Sequence, residues 1–217
     1  MRLQNAIFDM DGTLLDSMGM WSDLGEKFLR SRGLEPRESF WADVKPLTLM
    51  DGARYYKKAY GFTESPEELK NLMEAQIADF YQNQVLPKPG AEKFLMLLKT
   101  EGVWMYVATA TDRALTEAGL KHAGIDEYFR GIVTCAEAGA GKQESAAVFE
   151  RALTRLRGDK NNTIVFEDSL AAIRTAKAAG FRVAGVYESQ WEAEQAEIKN
   201  LADYYITSFE EFYQEVY

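Results

Sequence analysis

Apolar positions along this chain follow two rhythms. Short, mainly apolar segments at residues 103–108, 131–134, 163–167 and 182–187 are of the length and composition of strands buried on both faces. Between them, apolar side chains recur at three- and four-residue intervals over 90–101, 112–123, 143–156 and 169–179, which predicts helices. Ala6, Ile7 and Phe8 form one more short run near the start. Strands alternating with helices in this way predict an α/β core, a Rossmann-like parallel sheet with helices on both faces. Residues 204–207 add an edge strand and 208–216 a closing helix.

The stretch 17–83 has only the helical rhythm. Leu24, Phe28 and Leu29 fall on one helical face, and Leu69, Leu72, Met73 and Ile77 on another. Gly33, Pro36 and the 61–66 segment punctuate it, and Pro87, Pro89 and Gly90 mark the return to alternation. The expected organisation is a core built from 1–15 and 87–217, with a small all-helical domain, 16–86, inserted after the first strand. The aromatic set Phe40, Trp41, Tyr55, Tyr56, Tyr60, Phe62, Phe80 and Tyr81 reads as the core of that insertion.

Composition narrows the field. A chain of 217 residues, 47% hydrophobic, can bury one substantial core and a satellite. Acidic residues outnumber basic ones by 34 to 25, for a net charge of -9, which disfavours nucleic acid or an anionic membrane as partner. It does not disfavour a phosphate ester, because a bound cation and local positive groups set the field inside a small site. A single cysteine, Cys135, excludes an intrachain disulfide and reads as a buried, inert thiol. With neither a signal-peptide pattern nor an apolar stretch long enough to span a bilayer, a soluble cytoplasmic protein is expected, with a monomer as the default state.

The apolar runs end on chemistry. The first stops on Asp9 and Asp11 with Gly12 between them and Thr13; the second ends on Thr109; the run at 163–167 ends on Glu167 and Asp168. The carboxyl edge of a parallel sheet is where ligands bind. Lys142 introduces a helical pattern after Gly139, Ala140 and Gly141, but Ala136 and Gln143 break the phosphate-loop signature. A cation is disfavoured at a helix start, which favours a functional reason for Lys142. A carboxylate nucleophile, a hydroxyl, an ammonium and a separate acidic pair are the parts needed for phosphoryl transfer through an aspartyl-phosphate with a hard divalent metal. Thr111 and Asp112 are placed to cap the following helix, Ser169 to cap the one after the acidic pair, and His122 sits at a helix end with no catalytic role.

In sequence order, Asp9 to Thr13, Thr109, Lys142 and Glu167 with Asp168 resemble the four motifs of the haloacid dehalogenase superfamily of phosphotransferases, and the helical insertion resembles the cap of its small-molecule phosphatases and β-phosphoglucomutase. The resemblance implies Asp9 as nucleophile and Asp11 as general acid and base. It implies Mg2+ held by Asp9, the Asp11 backbone carbonyl, Asp168 and Glu167, the last directly or through water. Phosphate would be bound by Gly12, Thr109, Ala110 and Lys142. The cap would close over a small phosphorylated metabolite on linkers near 15–16 and 86–88, with Trp21, Lys45 and Arg54 as candidate substrate contacts. The mutases' cap-entry histidine and distal-phosphate arginine fall at Trp21 and Leu49 here. An indole cannot relay a proton and a leucine cannot grip phosphate, so a phosphatase is expected over a mutase. A non-catalytic phospho-acceptor or binding module, like a response-regulator receiver domain, is the alternative of another class; the early acids and the insertion argue against it.

Overall fold

The computed structural model describes residues 3–44 and 47–209. Lys45 and all but the first two residues of the expected closing helix lie outside them. The chain divides into two compact units, one of Met1–Met18 with Val85–Tyr217, the other Gly19–Gln84.

The first unit is the α/β core. Strand β1 (Asn5–Phe8) pairs with β2 (Trp104–Thr109) on one side and β4 (Thr163–Glu167) on the other, setting Phe8 level with Val107 and Phe166. Strands β3 (Ile132–Thr134), β5 (Arg182–Val186) and β6 (Tyr204–Ile206) complete the order β3-β2-β1-β4-β5-β6, every pair parallel. Every residue of β1 and β4 is buried, as a sheet covered on both faces requires. One face carries Ile7, Val165 and Val183, packed with Phe149 of α8 (Ala147–Leu156) and Ile173 of α9 (Leu170–Ala178). The other carries Phe8 stacked on Phe166 at 4.4 Å, joined by Phe94 of α5 (Ala91–Thr100) and by Phe209. Chain order runs outward from β1 in one direction to β2 and β3 and in the other to β4, β5 and β6. The carboxyl ends of β1 and β4 therefore flank a topological switch point, where an open sheet leaves a crevice.

The second unit carries helices α1 (Met18–Ser31, from the unit boundary onward), α2 (Phe40–Val44), α3 (Leu49–Tyr60) and α4 (Pro66–Asn83). Phe28, Leu29, Phe40, Ala53, Tyr56, Leu69 and Met73 form its core. A Cβ on Gly25 would lie 2.4 Å from the Tyr56 hydroxyl and 2.6 Å from the Phe40 ring, so α1 approaches its neighbours only with glycine there. Helix α4 opens on a capping box, Ser65 accepting from the Glu68 N–H while Glu68 accepts from the Ser65 N–H. Leu72 departs from expectation: Leu69, Met73 and Ile77 at four-residue steps take the buried face, and Leu72 stays exposed.

The linkers run side by side. Leu15 and Pro87 form an antiparallel bridge, the Asp16 N–H donates to the Leu86 carbonyl at 2.9 Å, and the Lys88 N–H to that of Leu14 at 2.8 Å. Most strands and helices lie within a residue or so of their predicted bounds. The 3₁₀ segment Ser189–Glu194 and the helix Gln195–Leu201 are not predicted, and the helix expected over 143–156 begins at Ala147, because the N–H groups of Glu144 and Ser145 both turn back to the Gly141 carbonyl, and a short helix α7 (Cys135–Ala138) precedes that turn. Lys142 therefore stands in a turn, and the helix-dipole argument does not apply to it. Among the described residues no helix is long and apolar enough to cross a membrane.

Candidate active site

Asp9 is one residue past β1, its N–H still bonded to the Phe166 carbonyl at 2.9 Å. The chain then turns sharply, the N–H groups of Leu14 and Leu15 both returning to the Met10 carbonyl. Gly12 makes the turn with φ of 79°, and a Cβ there would fall 2.5 Å from Asp168 Oδ2. Glycine is thus required by the backbone and by the neighbouring carboxylate at once. Thr13, fully buried, donates its hydroxyl to Asp168 Oδ1 at 3.0 Å.

The turn at 141–145 delivers Lys142, only 6% exposed, into contact with Asp9 Oδ1 and with Glu167 Oε2, the latter at 2.8 Å. Glu167 Oε1 accepts the Ser169 N–H. Asp9, Glu167 and Asp168 each present an oxygen within 4.8 Å of the others. One buried ammonium cannot neutralise three buried carboxylates. Burial, then the charge on Glu167, pushes Asp9 up to about 7; burial, then the charge on Asp9, pushes Asp168 to about 7. Glu167 is raised as well, chiefly by burial. Burial pulls Lys142 down, but Asp9 and Glu167 outweigh it and hold the ammonium above its ordinary range. All-oxygen donors with unbalanced negative charge suit a hard divalent cation, and the triad is of the kind that binds one.

Asp11 stands beside this cluster with both oxygens engaged, Oδ1 by the Ser17 hydroxyl and Oδ2 by the Thr111 hydroxyl, each at 2.6 Å. Thr109 is buried and its Oγ1 accepts the Thr111 N–H at 3.1 Å. A pocket of about 180 Å³ opens onto the group, lined also by Met18, Ala110, Gln143, Ser169, Ala172 and Trp191. Trp191 lies in a 3₁₀ segment after β5, and its indole N–H donates to Asp168 Oδ2 at 2.7 Å.

Asp9, Asp11, Thr109, Ala110, Lys142, Glu167 and Asp168 thus line one pocket, with Gly12 directly behind Asp168. Trp21 and Arg54 belong to the helical unit: Trp21 donates to the Tyr81 hydroxyl at 3.0 Å, and Arg54 is solvated beside Asp51. Lys45 lies outside the described residues. Two capping expectations are corrected. Asp112 and Ser169 occupy the N-cap positions of α6 (Arg113–His122) and α9 without a side-chain cap bond, and the Thr111 hydroxyl is turned onto Asp11 instead. His122 ends α6 exposed, and Cys135 is buried with its thiol raised by that burial. Ser17 and Trp191 are not singled out by the sequence, and Thr13 reads there as the end of the first motif without a role at Asp168.

The model of the haloacid dehalogenase-like hydrolases matches residues 6–186. The phosphorylated carbohydrates phosphatase of Thermotoga maritima is 24% identical over 188 residues, covering 86% of this chain and 87% of that protein. The fructose-1-phosphate phosphatase YqaB of Escherichia coli is 25% identical over 190 residues, covering 82% and 94%. A Thermotoga maritima crystal structure provisionally described as a β-phosphoglucomutase superposes with a TM-score of 0.86 at 23% identity, covering 99% of this chain and all of that one. A sheet switch point holding the acids, a helical unit inserted after β1 and a family match across most of the chain lead to one conclusion: this protein belongs to the haloacid dehalogenase-like hydrolases.

Proposed function

We propose that the protein is a magnesium-dependent phosphatase that hydrolyses a small phosphate monoester through an aspartyl-phosphate on Asp9. The observation that carries this is the Asp9 carboxylate, held by Lys142 at the edge of a pocket whose remaining walls are a second aspartate, a hydroxyl and two further acids. Asp9 Oδ attacks phosphorus, the P–O bond to the leaving alcohol breaks, and Asp11 protonates that oxygen. Water then attacks the phosphoaspartate, giving its proton to Asp11, and the acyl P–O bond breaks to release inorganic phosphate. Hydroxyls rotate between donor and acceptor, so Ser17 and Thr111 can hold Asp11 in either protonation state. Lys142 offsets charge between Asp9 and Glu167 and offers its ammonium to the phosphoryl oxygens. Thr109 Oγ1 already accepts a backbone N–H, which leaves its proton for the substrate. Asp9, Glu167, Asp168 and the Asp11 carbonyl are the groups proposed to hold Mg2+. When bound, the cation offsets the repulsion between these acids and a phosphate dianion.

The small volume of the pocket fits a phosphoryl group better than a whole metabolite, so the alcohol portion of the substrate extends out of the core. The names of the two relatives given above, phosphatases of sugar phosphates, support a phosphorylated small carbohydrate as the substrate class. Leu49 packs against the core of the helical unit and Trp21 is hydrogen-bonded to Tyr81, which supports hydrolysis over the mutase reaction. The test is turnover of p-nitrophenyl phosphate and a sugar-phosphate panel by the wild type and Asp9→Asn, with Mg2+ and with chelator. Phosphate release that requires Mg2+ and disappears in Asp9→Asn is expected. Isomerisation of a sugar phosphate without release, or release that survives Asp9→Asn, overturns the reading.

A further inference from the structure

We propose that Trp191 is a positioning residue for the metal site, fixing the Asp168 carboxylate so that the site favours Mg2+ over Ca2+. The proposal rests on the metal-binding reading above and adds to it a residue outside the four motifs. Asp168 accepts from two different segments, Thr13 on Oδ1 at 3.0 Å and the Trp191 indole on Oδ2 at 2.7 Å, so the plane of its carboxylate is set from both sides. An indole N–H can only donate. Unlike a hydroxyl, amide or imidazole at the same place, it cannot turn to accept, ligate a cation or take a proton, and Asp168 therefore always meets the same partner there.

The segment carrying Trp191 is built to hold it. Its N–H donates to the Glu188 carbonyl at 3.0 Å, and Gln195 Nε2 donates to the Glu188 carbonyl at 2.9 Å and to that of Trp191 at 3.3 Å. Glu188 is itself buried and paired with Lys88 at 2.7 Å, and Gln195 Oε1 accepts the Tyr205 hydroxyl at 2.9 Å. This polar support spans the linker, the loop after β5, and β6, and its result is a half-buried indole in the pocket wall aimed at one carboxylate oxygen. Mg2+ takes single carboxylate oxygens in a strict octahedron, whereas Ca2+ accepts wider, bidentate carboxylates. Chelating Ca2+ with both oxygens would compete with the bonds from Thr13 and Trp191 at each of them, whereas Mg2+ needs only one oxygen. Groups that orient a metal ligand in this way commonly set affinity by roughly 10- to 100-fold.

The experiment is calorimetric titration of metal-free wild type, Trp191→Phe and Trp191→His with Mg2+ and separately with Ca2+, with no substrate present. Trp191→Phe keeps an aromatic wall and removes the donor; roughly 10- to 100-fold weaker Mg2+ binding is expected, with a smaller change for Ca2+. Trp191→His restores a ring N–H and should recover part of the preference. The wild-type NMR spectrum supplies a readout that needs no variant. Of the four indole N–H resonances, that of Trp191 should move on adding Mg2+. Mg2+ affinity and Mg2+/Ca2+ preference within twofold of wild type in Trp191→Phe, or a Trp191 resonance indifferent to Mg2+, overturns the role of Trp191 alone. A wild type that binds no Mg2+ overturns the metal reading and this proposal together.

Discussion

A side chain at position 12 is excluded twice, by a φ of 79° and by Asp168 Oδ2 at 2.5 Å from where its Cβ would stand. Gly12→Ala should therefore cost about 1–3 kcal/mol in urea unfolding from backbone strain alone. Its effect on Mg2+ affinity should be larger than on stability, because the Asp168 carboxylate is the nearest group that has to move. Calorimetric titration beside the unfolding curve checks both parts, and an alanine variant that binds Mg2+ normally would refute the second. Asp9, Asp11, Glu167 and Asp168 were legible because each lies within a few residues of the end of an apolar run. Ser17 and Trp191 were not, and Thr13 was legible as part of the first motif but not as a support for Asp168: a hydroxyl near a turn or a tryptophan beyond β5 has no local mark of its partner, and Asp168 and Trp191 meet only through folding. Thr111 was legible as a polar helix start but not as a support for Asp11, since a cap and a cross-chain bond draw on the same hydroxyl.

Helix α4 illustrates what an element keeps from its own sequence. Ser65, Pro66 and Glu68 specify its start by local chemistry, and the capping box is formed. Ser65→Ala should lower stability by about 1 kcal/mol at pH 7, measured by denaturant unfolding followed by helical circular dichroism. The Ser65 N–H, then its hydroxyl, holds the Glu68 carboxyl below its usual range. A depressed carboxyl stabilises the fold above its unfolded value and loses that contribution as pH falls through its folded one. The gap between wild type and Ser65→Ala should accordingly narrow in acid; a gap that widens there would contradict the capping role of Glu68. Helix α8 shows the opposite case. The helix is expected from Gln143, and Gln143, Glu144 and Ser145 are polar residues that a helix start tolerates, yet two N–H groups converging on Gly141 make a turn there, and that turn brings Lys142 to Asp9. Periodicity registers which side chains can share a face, not which backbone groups are already committed.

Across the whole molecule, the crowding of three buried acids around one lysine should make the fold more stable when a divalent cation binds there. At about 100 times the dissociation constant, Mg2+ should stabilise the protein by about 2.7 kcal/mol, seen as a melting temperature several degrees higher that chelator reverses and Asp168→Asn largely removes. An unchanged melting curve would argue against a cation at these acids. Alternation predicted a parallel sheet but left its strand order open, because any right-handed arrangement of crossovers satisfies the same pattern; the order β3-β2-β1-β4-β5-β6 follows from which buried faces fit together. The paired linkers carry a consequence for how this sheet forms. Strand β1 is made first, but its neighbours β2 and β4 come much later in the chain, a costly closure for a flexible loop. A helical unit with its own core, entering and leaving at Leu15 and Pro87 side by side, pinches that loop shut once folded. Met73→Ala, in the helical core, should then slow refolding of the sheet in stopped-flow experiments as well as destabilise the helices, whereas a refolding rate left unchanged would show that the strands find one another unaided. The insertion would serve, before any substrate arrives, as the clasp that lets the first strand wait for its partners.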